Sequence, residues 1–200
     1  MEKIKSVIFD WGGVLIDDPR SGLLQYCADA FGIPQEQYTP VHDSCLDGFH
    51  KGLISEEDFW RAVARKFGKP IPKVPSLWYE AFKSAYIPKE EVFALASSLR
   101  GKGYKTALLS NTEPSSVTFF HEQGYDIFDV LVFSCEEGMM KPERKIYELA
   151  LERLGSRAEQ SVFIDDRLNY VQGARDVGLH AILFESAAQV KEDLSELGVE

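Results

Sequence analysis

The sequence predicts an α/β fold: a parallel sheet covered by helices on both faces, with a group of helices inserted after the first strand. Short apolar runs alternate with amphipathic segments of helix length through most of the chain, as in βαβ units. These runs are continuously apolar and rich in β-branched and aromatic residues, as expected of strands buried on both faces. Between residues 17 and 87 the pattern is helical only, which indicates an insertion.

The first predicted strand, Val7-Ile8-Phe9, ends at Asp10 and is followed by two glycines. Four further strands are predicted at 104–110, 129–134, 161–164 and 180–184. Helical spacing of apolar residues predicts the segments between them. One predicted helix, 35–51, is expected to be interrupted, and Pro142 is expected in the first turn of another.

The predicted domain organisation follows from this order of elements. Residues 1–16 and 88–200 are expected to form the three-layer α/β core, and residues 17–87 a small helical cap. We expect the cap to fold over the carboxyl edge of the sheet, where open parallel sheets bind ligands.

The composition of the chain limits which binding partners and which cellular compartment we expect. The formal net charge of the 200 residues is −10, which argues against non-specific binding of nucleic acid or membrane surfaces. The three cysteines are widely spaced and form no CxxC pattern, so a disulfide framework or zinc site is not expected. No leader or membrane-spanning run is recognised. We therefore expect a cytoplasmic protein, monomeric or homodimeric, with a small-molecule ligand.

Polar residues follow the predicted strands, where parallel strands bring their carboxyl ends together. Carboxylates supply hard oxygen ligands that suit Mg²⁺, and a hydroxyl, an amide and a lysine supply donors for a phosphoryl group. An aspartate beside such donors can attack phosphorus. The residues concerned are Asp10, Ser110, Asn111, Lys141, Asp165 and Asp166.

Each part of this set also has a structural interpretation. Ser110-Asn111-Thr112 alone is typical of a helix cap, and Asp165-Asp166 can be a capping acid and its neighbour. Lys141 alone is typical of a solvated surface lysine. The histidines have no metal-ligand spacing, and the aromatic residues Trp60 and Trp78 are more typical of a core than of a substrate pocket. These separate interpretations do not explain why successive strand ends all carry polar groups.

The chain resembles the haloacid dehalogenase-like hydrolase superfamily, whose four motifs are matched in order. The matching segments are 9–15 (FDWGGVL), 109–112 (LSNT), 138–147 (GMMKPERKIY) and 163–174 (FIDDRLNYVQGA). The predicted helical insertion lies where the superfamily has its small cap. The first motif, of the form FDxGxV, is most similar to a phosphatase branch that includes bacterial α-D-glucose-1-phosphate phosphatase.

The resemblance implies a Rossmann-like core and a Mg²⁺-dependent phosphatase acting on a small phosphorylated metabolite such as a sugar phosphate. Asp10 would be the nucleophile that forms an aspartyl phosphate, with Ser110 and Lys141 as catalytic phosphate ligands. Phosphate binding would also involve Trp11, Gly12, Gly13 and Asn111. The metal ligands would be Asp10, the carbonyl group of Gly12, Asp165 and Asp166.

One departure from the superfamily pattern concerns the general acid. Most phosphatases of the superfamily have a second aspartate two residues after the nucleophile, and this chain has Gly12 there. The enzyme would then favour leaving groups that need little protonation, such as an anomeric sugar phosphate. Alternatively, another group replaces the acid; the candidates are Asp17, Asp18, His42 and His50. A third alternative is a phosphate- and metal-binding regulatory module, and 2-haloacid dehalogenase activity is less expected.

Overall fold

The sheet contains five parallel strands. The computed structural model describes residues 2–200, so Met1 of the predicted 1–16 segment lies outside the described residues. The strands are β1 (Ser6–Phe9), β2 (Lys105–Ser110), β3 (Val130–Phe133), β4 (Ser161–Asp165) and β5 (His180–Leu183). Their order across the sheet is β3-β2-β1-β4-β5. The predicted α/β fold class is confirmed, and β1 is the central strand.

Ten α-helices surround this sheet. They are α1 (Arg20–Phe31), α2 (Gln35–His50), α3 (Glu56–Phe67), α4 (Leu77–Ala85), α5 (Glu90–Gly101), α6 (Pro114–Glu122), α7 (Ser134–Glu137), α8 (Arg144–Leu154), α9 (Leu168–Val177) and α10 (Ala187–Glu196). A short 3₁₀-helix spans Ala158–Gln160. No helix within residues 2–200 is both long and apolar enough to cross a membrane.

The alternation of side chains along β1 separates the two hydrophobic layers. Val7 and Phe9 belong to a large cluster with α1–α6 and α10, whereas Ile8 belongs to a smaller cluster with α8 and α9. Successive side chains of a strand point to opposite faces of the sheet. All three residues are completely buried, which explains why the central strand is continuously apolar.

The backbone segments that lead into and out of α1–α4 pair with each other. Ile16 and Pro88 form an antiparallel bridge. The Asp17 N–H donates to the Ile87 carbonyl at 2.9 Å, and the Lys89 N–H donates to the Leu15 carbonyl at 2.8 Å. Helices α1–α4 thus leave and rejoin the chain at neighbouring points, consistent with an inserted cap. The domain boundaries at 16/17 and 87/88 remain a prediction.

The helix predictions need three corrections. Helix α2 is not interrupted: it runs through Pro40 and Gly48, because Tyr38 and Phe49 on one face are buried in the core. Pro142 precedes the first helical residue of α8, since a turn closed by the Glu143 N–H and the Met140 carbonyl (2.8 Å) comes before that helix. The short helix α7 has no apolar periodicity long enough to predict it.

Candidate active site

Asp10 lies where the central strand reaches the carboxyl edge of the sheet. Its backbone N–H donates to the Ile164 carbonyl at 2.9 Å, which extends the ladder between β1 and β4 by one residue. The same ladder brings Asp10 next to Asp165, the last residue of β4. Asp10 is 6% exposed and Asp165 is fully buried, so both carboxyl groups are largely withdrawn from water.

The ammonium group of Lys141 joins these two carboxylates. Lys141 is fully buried, and its Nζ lies 2.7 Å from Asp10 Oδ1 and 2.6 Å from Asp165 Oδ2. Burial alone lowers the pKa of a lysine, but the charges of Asp10 and Asp165 outweigh it and raise the pKa of Lys141 above its usual value. Lys141 is therefore a permanent cation beside the candidate nucleophile.

Asn111 holds the backbone at Lys141. Its Oδ1 accepts the Lys141 N–H at 2.8 Å, and its Nδ2 donates to the Lys141 carbonyl at 2.9 Å. The same Nδ2 is 3.3 Å from the hydroxyl of Tyr170. The side-chain amide is therefore engaged in positioning Lys141, and its predicted role in phosphate binding stays a prediction.

Three carboxylates meet at this edge of the sheet. Asp10, Asp165 and Asp166 each offer an oxygen, and these oxygens lie within 4.8 Å of one another. Oδ1 of Asp166 is buried and has no hydrogen-bond partner among residues 2–200. Both oxygens of Asp165 are engaged, because Oδ1 accepts the Arg167 N–H at 2.8 Å and Oδ2 binds Lys141. The donor set fits a hard divalent cation such as Mg²⁺, with Asp166 and Asp10 as its more available ligands.

Gly13 allows Asp166 to approach the loop after β1. Its φ angle is +86°, and a Cβ atom added there would lie 2.2 Å from Asp166 Oδ2. Any other residue would therefore clash with the carboxylate and also strain the backbone. Gly13 of the first motif thus leaves the space that the Asp166 carboxylate of the fourth motif occupies.

The electrostatics of Asp10 depend on its burial and its neighbours. Burial raises the pKa of Asp10 to about 8; Lys141 opposes the rise, and the charges of Asp165 and Asp166 add to it. Burial, followed by Asp165, likewise raises the pKa of Asp166. A bound cation would favour the ionised carboxylates, because it offsets their mutual repulsion.

A cavity of about 120 Å³ lies above these groups. Asp10, Ser110 and Lys141 contribute to its floor, at the ends of β1 and β2 and in the loop before α8. Apolar side chains from α1, α2 and α4 form much of the facing wall: Leu23, Leu24, Leu46, Trp78 and Phe82. Helices α1, α2 and α4 thus contribute apolar walls to a cavity at the polar strand ends, and the assignment of residues 17–87 as a cap stays a prediction.

Most of the predicted catalytic and phosphate-binding residues line this cavity. They are Asp10, Trp11, Gly12, Ser110, Asn111 and Lys141. Gly13, Asp165 and Asp166 do not line it, but Asp165 contacts Lys141 and Gly13 lies against Asp166. Trp60 belongs to the core, whereas Trp78 is buried in the core and also borders the cavity.

The candidates for a replacement acid differ in position. Asp18, His42 and His50 line the cavity. Asp17 does not line it, and its Oδ1 lies 3.3 Å from Lys89 Nζ.

Sequence reasoning assigned no site role to four polar residues that border the cavity: Arg20, Glu113, Arg167 and Tyr170. Glu113 follows the Ser110-Asn111-Thr112 motif and binds His50, while Arg167 and Tyr170 follow the acidic pair. The guanidinium group of Arg167 lies 5.6 Å from the centre of the Tyr170 ring. Arg167 and Tyr170 are three residues apart at the start of α9, and this spacing could have indicated that their side chains are neighbours. Glu113 precedes Pro114, and an acid in that position is typical of a helix start.

Several known proteins are similar to this chain over most of its length. Acyl-CoA dehydrogenase family member 10 of Mus musculus is 30% identical over 210 residues, covering 96% of this chain but only 19% of that protein. The chain thus corresponds to about a fifth of that relative. Glyceraldehyde 3-phosphate phosphatase of Methanothermobacter thermautotrophicus is 29% identical, with 92% of this chain and 86% of the relative covered.

A solved structure of similar architecture is a HAD family enzyme from Bacteroides thetaiotaomicron. It is 26% identical, has a TM-score of 0.80 and covers all of both chains. The same enzyme was solved with magnesium and inorganic phosphate; that structure is 25% identical, has a TM-score of 0.74, and covers 94% of this chain and 98% of the other. The model of the haloacid dehalogenase-like hydrolases matches residues 4–178. The chain therefore belongs to the haloacid dehalogenase-like hydrolase family.

Proposed function

We propose that the protein is a Mg²⁺-dependent phosphoric monoester hydrolase in which Asp10 is the nucleophile. One observation carries the proposal: the buried Lys141 ammonium lies 2.7 Å from Asp10 Oδ1 and 2.6 Å from Asp165 Oδ2. This contact orients Asp10 beside a fixed cation at the floor of the cavity. Such an arrangement suits attack by a carboxylate on an anionic phosphoryl group.

The proposed reaction has two displacements. First, an Asp10 oxygen bonds to phosphorus while the bond between phosphorus and the ester oxygen breaks, which gives an aspartyl phosphate. The released oxygen takes a proton and leaves as an alcohol. Water then attacks phosphorus, which restores the Asp10 carboxylate and frees inorganic phosphate. Lys141 and Ser110 bind the phosphoryl oxygens during both displacements.

Magnesium would be held by Asp10, Asp166 and the Gly12 carbonyl group, with Asp165 beside them. The unpartnered Oδ1 of Asp166 and the three converging carboxylates support this assignment. When bound, the ion supplies positive charge that offsets the charge of the phosphoryl group. The magnesium and phosphate complex of the Bacteroides relative supports the same ligand class.

For the substrate, we propose a small phosphorylated metabolite, with sugar phosphates as the first candidates. Polar residues border the cavity beside its apolar wall, and Asp18 and Arg20 offer partners for hydroxyl groups. A sugar 1-phosphate would suit a site that has Gly12 where an acid would protonate a poorer leaving group. The phosphatase relative that acts on glyceraldehyde 3-phosphate supports a small substrate.

A second candidate function is a binding module that retains phosphate and metal without useful turnover. The observation that favours it is Gly12, which places no carboxyl group two residues after Asp10. Loss of a general acid costs about 10²- to 10⁴-fold in rate. Carbon–halogen cleavage is a third candidate, because the same nucleophile serves it.

Phosphate release separates these functions. We would measure it from p-nitrophenyl phosphate and a panel of sugar and alkyl phosphates, with Mg²⁺ and with EDTA. The proposal requires metal-dependent turnover that Asp10→Asn abolishes and the matched control Asp17→Asn retains, since Asp17 does not line the cavity. Phosphate binding without turnover would favour the binding module, and halide release from 2-chloropropionate would favour a dehalogenase.

A further inference from the structure

His50 and Glu113 form a side-chain contact between the inserted helices and the segment that follows β2. His50 is the last residue of α2, and Glu113 immediately precedes α6. His50 Nε2 lies 2.6 Å from Glu113 Oε1, with side-chain exposures of 16% and 6%. Both residues line the cavity that contains Asp10 and Lys141. A largely buried histidine–carboxylate pair at the wall of the cavity that contains the candidate nucleophile can serve proton transfer as well as structure.

Further hydrogen bonds fix this pair. The second oxygen of Glu113 accepts the Ser116 hydroxyl at 2.9 Å. The His50 carbonyl accepts the Ser134 hydroxyl at 2.6 Å, and that hydroxyl oxygen accepts the Thr112 N–H at 2.9 Å. His50 is therefore tied to the loop that follows Ser110, the last residue of β2.

The residues next to His50 tie it to the Lys141 loop as well. Lys51 Nζ lies 2.7 Å from Glu143 Oε1, two residues after Lys141. Gly52, at a φ angle of +66°, packs so closely on the Cys135 carbonyl that an added Cβ would lie 2.1 Å from its oxygen. His50 thus sits between the two loops that supply the candidate phosphate ligands.

The other proton donors of the cavity are less suitable. Asp18 is exposed to solvent, and its Oδ1 accepts the Arg20 N–H at 3.0 Å. Burial lowers the pKa of His42 to about 4, so this ring is neutral near neutral pH, and its Nδ1 lies 3.1 Å from the Tyr38 hydroxyl. The Tyr170 hydroxyl is 3.3 Å from the Asn111 amide. Lys141 is held by Asp10 and Asp165.

We propose that His50, positioned by Glu113, is the general acid of the reaction, replacing the carboxyl group that Gly12 lacks. This inference rests on the proposed function. As the bond between phosphorus and the ester oxygen breaks, its electron pair stays on that oxygen. The Nδ1 proton of the His50 imidazolium moves to the oxygen and completes the alcohol. Neutral His50 then takes a proton from the water that attacks phosphorus, which restores the imidazolium. Nε2–H remains bonded to Glu113 throughout.

The test compares two leaving groups. An alkyl phosphate such as glycerol phosphate must release an alkoxide unless it is protonated, whereas p-nitrophenyl phosphate releases a stable phenolate. We expect His50→Gln to lower kcat/KM for the alkyl ester by about 100-fold and for the nitrophenyl ester by about threefold at most. His121→Gln, on the exposed face of α6, is the control that should leave both rates unchanged.

A second variant tests the positioning role of Glu113. Glu113→Gln keeps a hydrogen-bond acceptor but removes the charge that favours the imidazolium. We expect a selective loss for the alkyl ester of about 10-fold, with the nitrophenyl ester changed by about threefold at most.

Two outcomes would overturn the inference. One is an equal loss on both esters by His50→Gln at an unchanged unfolding midpoint, and the other is no loss on either ester. If His50→Gln does not fold, Glu113→Gln decides by the same ratio of the two esters. Wild-type protein that hydrolyses neither these two esters nor any sugar phosphate of the panel would instead contradict the proposed function.

Discussion

Asn111 binds both backbone polar groups of Lys141, accepting its N–H at 2.8 Å and donating to its carbonyl at 2.9 Å. A single side chain at the end of β2 therefore fixes the loop that delivers the buried ammonium to Asp10. We expect Asn111→Ala to lower kcat by about 10-fold or more, because misplacing a catalytic group weakens its action in the transition state. Asn169→Ala, at an exposed position of α9, should leave kcat unchanged in the same assay.

Lys141→Met should destabilise the protein in a pH-dependent way. The variant leaves Asp10 and Asp165 buried without a cation, and breaking a buried pair costs about 3–5 kcal/mol. Loss of the Lys141 charge raises the pKa of Asp10 further in the folded state, so stability is lost as the pH increases and this carboxyl group ionises. Urea unfolding in EDTA should show a larger deficit near about pH 8 than near about pH 5. A deficit of similar size for the exposed Lys145→Met would contradict this account.

Gly13→Ala should weaken metal binding. The added methyl group would meet Asp166 Oδ2 at 2.2 Å, so the carboxylate must move. Gly138→Ala is the matched control, because Gly138 also has a positive φ angle (+68°) but has no atom within 4 Å of an added Cβ. We expect the Mg²⁺ affinity, measured by calorimetry, to fall by about 10-fold or more only in Gly13→Ala. Equal affinities in the two variants would remove Asp166 from the metal site.

His42 should make stability depend on pH in mildly acidic solution. Burial lowers the pKa of His42 from 6.5 to about 4, so the unfolded state binds more protons between these values. The stability contributed by the neutral ring is complete above about pH 6.5 and is lost as the pH falls toward 4, by about 3 kcal/mol in total. Urea unfolding of His42→Gln should show a shallower slope across that window, while His180→Gln keeps the wild-type slope.

The sequence predicted the structure best at positions where a single physical requirement determines the residue type. Val7, Ile8 and Phe9 must be apolar because both faces of β1 are covered, so the central strand and its terminal Asp10 could be predicted. Lys141 could be placed at the site only because the other strand ends are polar too, since a lone lysine is typical of a surface.

Side-chain contacts between residues far apart in the sequence could not be predicted from local patterns. Glu113 reads as an acid at a helix start, and its contact with His50 joins positions 63 residues apart that no local pattern connects. The continuity of α2 likewise depends on the burial of Tyr38 and Phe49, which outweighs the cost of Pro40 inside the helix. Tertiary packing decides both features.

Backbone segments 15–17 and 87–89 pair with each other, so the chain leaves and rejoins the core at adjacent points. The two ends of the segment that contains α1–α4 are hydrogen-bonded to each other. The length and sequence of this segment can therefore change without altering the register of β1. Lys89 reinforces the junction, with Nζ 2.9 Å from the carbonyl groups of both Gly13 and Ile16. A chimaera in which helices α1–α4 are replaced at this junction by those of a relative would acquire a different cavity wall. It would keep Asp10, Ser110 and Lys141 at the floor of the cavity.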